Sequence, residues 1–181
     1  MRERMLAGEM YIADDPDLAQ ASRRARELTH RVNSLDPKED LRTLLVELLG
    51  AFGEGSEIRP PFHCDYGYQT FVGARVFANF GLVCLDVATI AIGDDVQLGP
   101  NVQLLTATHP LEAMARREKW ESAQPIAIGD NGWLGGGVIV CPGVTIGENT
   151  VVGAGAVVTR DLPANVLAVG HPARVVRRLN G

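Results

Sequence analysis

His109 stands between Thr108 and Pro110, immediately after a run of regularly spaced aliphatic residues. An imidazole titrates near 6.5, so in its neutral form it can take a proton from an alcohol at cellular pH. A lone histidine can equally be structural or simply exposed. The other histidines are His30, His63 and His171, and none lies close to His109 in sequence. The cysteines Cys64, Cys84 and Cys141 are odd in number and far apart. They suggest neither a zinc ligand set nor a disulfide framework, and read as small residues in packed positions. No metal is expected. Asn79 carries a side-chain amide that suits a corner hydrogen bond or a contact with a bound group. Near the C-terminus Arg160, Arg174, Arg177 and Arg178 outnumber a single acid, Asp161. Guanidinium forks suit phosphate, although such a stretch also serves as a solvated tail. The net charge of -5 argues against binding to nucleic-acid backbones. It leaves room for a small anionic ligand on a local basic patch.

These residues must be positioned by a repeat. From Ile128 an aliphatic residue returns every six positions, at Leu134, Val140, Ile146, Val152 and Val158. Glycine follows at Gly129, Gly135, Gly147 and Gly153, and a small or β-branched residue stands four positions on at Val138, Val144, Thr150 and Ala156. A period of six is neither helical nor a simple strand alternation; it marks a repeat architecture. The same beat is clear at Ile92, Leu98 and Leu104, irregular around Val72 and Ala78, and interrupted at about 109–126. Three short strands joined by tight corners make a triangular coil of roughly 18 residues, with coils spaced as neighbouring strands are. The aliphatic at each repeat points inward and stacks on its equivalent one coil away. A β-sandwich of valine- and glycine-rich strands is the competing arrangement, and six aliphatics in phase disfavour it.

Residues 1–55 read as a helical cap. Asp14-Asp15-Pro16-Asp17 is a helix start, with Pro16 tolerated in the first turn. Leu18, Ala21, Ala25, Leu28 and Val32 keep helical spacing, residues 33–37 break it, and Leu41, Leu44, Leu45, Leu48 and Leu49 form a second apolar stripe. Residues 56–162 form the coil with its inserted loop, and 163–181 a tail in which Pro163 and Pro172 oppose continued coiling. The chain has 181 residues and 46% hydrophobic composition, as expected of a globular, soluble protein. No stretch suits a signal peptide or a membrane span, so a cytoplasmic location is expected.

Taken together, the hexads resemble the left-handed parallel β-helix acyltransferases. The motifs Pro60-Pro61-Phe62, Asp65-Tyr66-Gly67-Tyr68, Phe77-Ala78-Asn79-Phe80, Gly99-Pro100-Asn101-Val102, Thr106-Ala107-Thr108-His109-Pro110 and Gly170-His171-Pro172-Ala173-Arg174 are similar to those of the maltose and galactoside O-acetyltransferases. So are residues 5–12 and Val152-Gly153-Ala154-Gly155, and the resemblance covers essentially the whole chain. It implies a mainly β fold, a left-handed parallel β-helix of hexapeptide repeats with an N-terminal helical cap. It implies transfer of acetyl from acetyl-coenzyme A to a sugar hydroxyl, with a maltose- or glucose-like acceptor. His109 would be the general base and Asn79 would contact the reacting acetyl group. Asn79, Gly136, Ala154, Thr159, Arg160, Arg174 and Arg177 match coenzyme-contacting positions. Asp65, Asp86 and Asp14 are candidate acceptor ligands, with departures from the galactoside pattern. There the position of Asp65 is a serine, the acidic ligand aligns with Val87, and a further acid aligns with Ala13. The family's trimer, with sites between subunits and an inserted loop reaching across, makes Arg116, Arg117 and Trp120 the reaching segment. Other hydroxyl acceptors (xenobiotics, serine, lipooligosaccharide), a γ-carbonic-anhydrase-like metal lyase and a non-catalytic scaffold are the competing readings.

Overall fold

The computed structural model describes residues 1–36 and 38–180; Pro37, part of the expected break between helices, lies outside the described residues. Three parallel sheets wind as a left-handed coil. The first face holds strands Ala51–Phe52, Thr70–Val72, Ile90–Ile92, Ile126–Ile128 and Thr145–Ile146. The second holds Glu57–Ile58, Phe77–Ala78, Gln97–Leu98, Trp133–Leu134, Val151–Val152 and Val166–Val169, and the third Phe62–Cys64, Leu82–Leu85, Gln103–Leu105, Ile139–Val140 and Val157–Val158. The beat read from the sequence is the register of these sheets. Ile128 pairs with Ile146, Leu134 with Val152 and Val140 with Val158. All six side chains are buried, each contributing roughly 1.5–3 kcal/mol of hydrophobic stabilisation. Coils approach so closely at the corners that a Cβ added to Gly135 would sit 2.6 Å from the backbone nitrogen of Ala154, which is why glycine follows the inward aliphatic.

Three features differ from the sequence-based expectation. Phe52, Val72 and Ile92 are register partners, so the first two turns take 20 residues rather than 18. The surplus lies in widened corners after the third face, at Asp65–Gln69 and Asp86–Thr89, which disturbs the six-residue beat there. The coil also begins earlier and ends later than expected. Ala51–Phe52 already pairs with Phe71–Val72, and Val166–Val169 adds a rung beside Val151–Val152 before Arg174–Arg178 folds back antiparallel on it.

Two helices close the first coil. Pro16–Ser34 starts at Asp15, whose carboxylate accepts the Asp17 N–H at 2.8 Å, and Leu41–Leu48 is capped in the same way by Asp40. Their apolar stripes bury Leu28, Val32, Leu44, Leu45 and Leu48 against Phe52, Ile58 and Phe62. Polar side chains from these helices satisfy the free edge of the coil. Asn33 donates to Phe62 O at 2.9 Å and accepts from Phe62 N at 2.8 Å. Arg42 donates to Phe52 O at 3.1 Å and Gly53 O at 3.0 Å, its guanidinium stacked 5.0 Å from the Phe52 ring. Among the described residues no helix is long and apolar enough to cross a membrane.

Candidate active site

The interrupted beat is a hairpin. The chain leaves the coil at Thr106, pairs Ala107–Thr108 with Trp120–Ala123, and returns where Gln124 N–H donates to Thr106 O at 2.9 Å. A short helix, Ala113–Arg117, forms its tip. Tyr11–Ile12, absent from the sequence reading as a strand, adds to the hairpin with Tyr11 opposite Glu121 and Ile12 opposite Trp120. Arg4, from the preceding helix Arg2–Leu6, stacks over Trp120 at 5.6 Å. The N-terminal segment therefore braces the hairpin directly rather than belonging wholly to the cap.

This pairing brings Asp14 to His109. The two residues, with Ile12, Ala13, Arg116, Lys119 and Glu121, line a cavity of about 540 Å³. Arg116 donates to the carbonyls of Pro110 and Leu111, both at 2.9 Å, and so fixes the segment that follows His109. Asp65 approaches from the widened corner below. Burial and then the Glu121 charge raise its carboxyl above the usual range. The Tyr11 hydroxyl is raised by burial and by Glu121, which it faces, and that of Tyr66 by burial and Asp65. The carboxylates of Asp14 and Glu121 and the His109 imidazole thus line one cavity under the hairpin, a surface suited to directional hydrogen bonds from hydroxyls, while the buried Tyr11 and Tyr66 lie outside its lining. Glu121, Lys119 and Tyr11 were missed from sequence. The only available signal was the run from Trp120 to Ala123 after an irregular loop, which does not reveal that Tyr11–Ile12 pairs with it.

Asp86 differs from its expected role as an acceptor ligand. It is fully buried. One oxygen accepts the Asp65 and Tyr66 N–H groups at 3.0 and 2.9 Å, and the other accepts Gln69 N–H at 3.3 Å. Its carboxylate is committed to the backbone of the corner beneath it. Burial pushes its pKa up to about 6, the Tyr66 N–H opposing the rise and the Asp65 charge adding to it. In the unfolded chain the group returns to about 3.9. The folded form therefore holds the extra proton between roughly pH 4 and 6, and the resulting stabilisation is full below that window and lost as pH rises through it. Asp86→Asn should consequently show a larger stability deficit at pH 4 than at pH 7, by up to ~3 kcal/mol. Urea denaturation at the two pH values checks this; a deficit that is equal at both, or larger at pH 7, would count against it.

The remaining candidates fall on two edges of the third face. Asn79 follows the second-face strand Phe77–Ala78, and Gly136 and Ala154 occupy the same corner in later coils. Thr159 and Arg160 follow Val157–Val158 at the opposite edge, the one from which the His109 hairpin departs. One chain therefore does not bring Asn79 and His109 together. Arg174 and Arg177 lie exposed on the last strand. Among the described residues no group of three or more His, Cys, Asp or Glu side chains could hold a metal ion.

Comparison with known proteins agrees with this architecture. Residues 4–53 match the maltose acetyltransferase hexapeptide capping motif, and residues 125–160 match the bacterial transferase hexapeptide model of six repeats. A maltose O-acetyltransferase from Clostridium difficile 630 is 43% identical, with a TM-score of 0.98 over 99% of this chain and 97% of that one. A galactoside acetyltransferase solved in complex with coenzyme A is 38% identical, with a TM-score of 0.96 over 99% and 91% of the two chains. Nodulation protein L from Rhizobium meliloti is 48% identical over 96% of each. The chain belongs to the maltose and galactoside O-acetyltransferase family of hexapeptide-repeat proteins.

Proposed function

We propose that this protein moves an acetyl group from acetyl-coenzyme A to a hydroxyl of a sugar, with His109 as general base. The observation that carries this reading is the placement of His109 beside Asp14 and Glu121 at a cavity under the hairpin. His109 removes the hydroxyl proton as the acceptor oxygen attacks the thioester carbonyl. The Asn79 amide donates to the oxyanion of the tetrahedral adduct. Collapse breaks the carbon–sulfur bond, and His109 returns its proton to the departing thiolate. Asp14, Asp65 and Glu121 accept hydrogen bonds from the acceptor's hydroxyls. Gly136 and Ala154 allow close approach of the pantetheine arm, and Thr159, Arg160, Arg174 and Arg177 hold the nucleotide end, in keeping with the coenzyme A carried by the solved galactoside enzyme. No step requires a metal.

The separation of Asn79 and His109 across one face supports a homotrimer, in which one subunit supplies the histidine edge and its neighbour the asparagine edge. Nodulation protein L matches at higher identity than the maltose enzyme, so identity alone does not rank acceptors. The test is thiol release from acetyl-coenzyme A with maltose, glucose, galactosides and hydroxylated antibiotics, scored as kcat/KM. A maltose- or glucose-type acceptor is expected to lead. Thiol release that no hydroxyl compound accelerates would end this reading.

A further inference from the structure

Two buried side chains that touch neither the cavity nor solvent join the layers of the site. The widened corner Asp65–Gln69, the corner Asp86–Thr89 above it and the neck of the hairpin at Thr106 stack at the same edge of the coil, as the pairing of Cys64 with Cys84 and of Leu85 with Leu105 requires. Asp86 reaches down and accepts three N–H groups of the lower corner, those of Asp65, Tyr66 and Gln69. Thr106 does the same one level up, its hydroxyl accepting Ala88 N–H at 3.0 Å and donating to Leu85 O. Both residues are fully buried. Thr106 O also accepts the Gln124 N–H that closes the hairpin. A continuous chain of hydrogen bonds thus runs from the hairpin, through Thr106 and the middle corner, to Asp86 and the turn that presents Asp65 and Tyr66.

The geometry points to Asp86 and Thr106 as positioning residues that register the Asp65–Tyr66 turn against the hairpin bearing His109 and Glu121, and so set the spacing of the acceptor pocket. This rests on the acetyltransferase reading above. The Asp65–Tyr66 turn and the hairpin come from segments more than 40 residues apart. Backbone bonds such as Ile90 N–H to Gln69 O and the packing of Tyr66 and Val87 against Ala123 join them, and Asp86 and Thr106 add side-chain bonds within the corners themselves. The Asp86–Thr89 corner carries no glycine, and the tight glycine approaches of the Asp65–Gln69 corner, at Gly67 and Gly50, are made toward the cap, so side chains tie the two corners to each other. An offset there displaces the carboxylate of Asp65 from the acceptor while leaving the coenzyme edge at Gly136 and Ala154 intact.

Asp86→Asn keeps side-chain shape and removes one acceptor oxygen, Thr106→Val removes the hydroxyl that accepts from Ala88 and donates to Leu85, and Thr106→Ser restores it. In the folded variants the acceptor KM should rise ~10-fold while the KM for acetyl-coenzyme A stays within about twofold and Thr106→Ser recovers the parent value. Amide hydrogen exchange should show protection lost selectively within the Asp65–Gln69 corner for Asp86→Asn, at the N–H groups facing whichever oxygen the amide nitrogen replaces. An unchanged acceptor KM in either folded variant overturns the assignment, as does a parallel fall in kcat and rise in both KM values, which marks general loss of native enzyme. A parent protein that turns over no hydroxyl acceptor defeats the proposed function. The exchange pattern then decides the registration by itself: selective loss of protection sustains it, and uniform or absent change refutes it.

Discussion

Replacing His109 by alanine is expected to lower kcat for acetyl transfer by ~10²–10⁴-fold, the usual cost of losing a positioned general base. The substitution should leave stability almost untouched, because His109 is exposed on the hairpin and contributes nothing to the coil core. That separation makes the experiment decisive. A fall in activity cannot be charged to unfolding if the melting curve is superimposable on that of the parent protein. Thiol release at saturating acetyl-coenzyme A and acceptor measures kcat directly. A purified His109→Ala protein that retains more than about a tenth of the parent rate removes His109 from the proton-transfer role. The oxyanion donor and the binding surface would survive the change, so a residual rate above the uncatalysed background is expected.

Mixing two inactive proteins should restore activity. Asn79→Ala alone is expected to cost ~10²–10³-fold through loss of an oxyanion donor. His109→Ala and Asn79→Ala chains, each defective, still hold complementary intact residues on opposite edges of the third face. In trimers assembled at random from equal amounts, a site built from one edge of each of two neighbours receives both intact residues about one time in four. Co-expression of the two chains under separate tags should therefore yield about a quarter of the parent kcat. That is far above the rate of either variant alone. A mixture no better than its components would show that each chain completes its own site, and the shared arrangement would have to be abandoned. The count also gives about one intact site in four for a doubly substituted chain mixed equally with parent protein, roughly half the activity of the same amount of parent assembled alone.

The repeat was legible because it is enforced at every level. Ile128, Leu134 and Val140 each face the interior, stack on an equivalent one coil away and are followed by tight corners, so composition, spacing and packing report the same object. The helix starts at Asp15 and the break in the beat before His109 were legible for similar local reasons. The pairing of Tyr11–Ile12 with the hairpin was not. Two residues carry no periodicity, and their partner lies more than 100 positions away. Asp86 illustrates another limit. A carboxylate beside a strand reads from sequence as a ligand, and only its burial and three backbone donors show that it serves the corner. The candidate acceptor residues Asp14, Asp65 and His109 sit in the N-terminal segment, a widened corner and the hairpin, where the hexapeptide rule is relaxed and the sequence ceases to constrain the backbone.

A parallel coil has two raw ends, and each is a template on which another strand could add. Here Asn33 and Arg42 occupy hydrogen-bonding positions that an incoming strand would take at the first rung, and Arg174–Arg178 lies antiparallel over the last, against the grain of the stack. End-to-end growth would turn a finite enzyme into a fibre, since an uncapped rung presents the same unpaired backbone that propagates cross-β assemblies. The cap is thus an insulator as well as a lid on the core. It lets a fold built from an indefinitely extensible motif stop at a fixed length, and it gives that task to a handful of polar side chains far from the hairpin that bears His109.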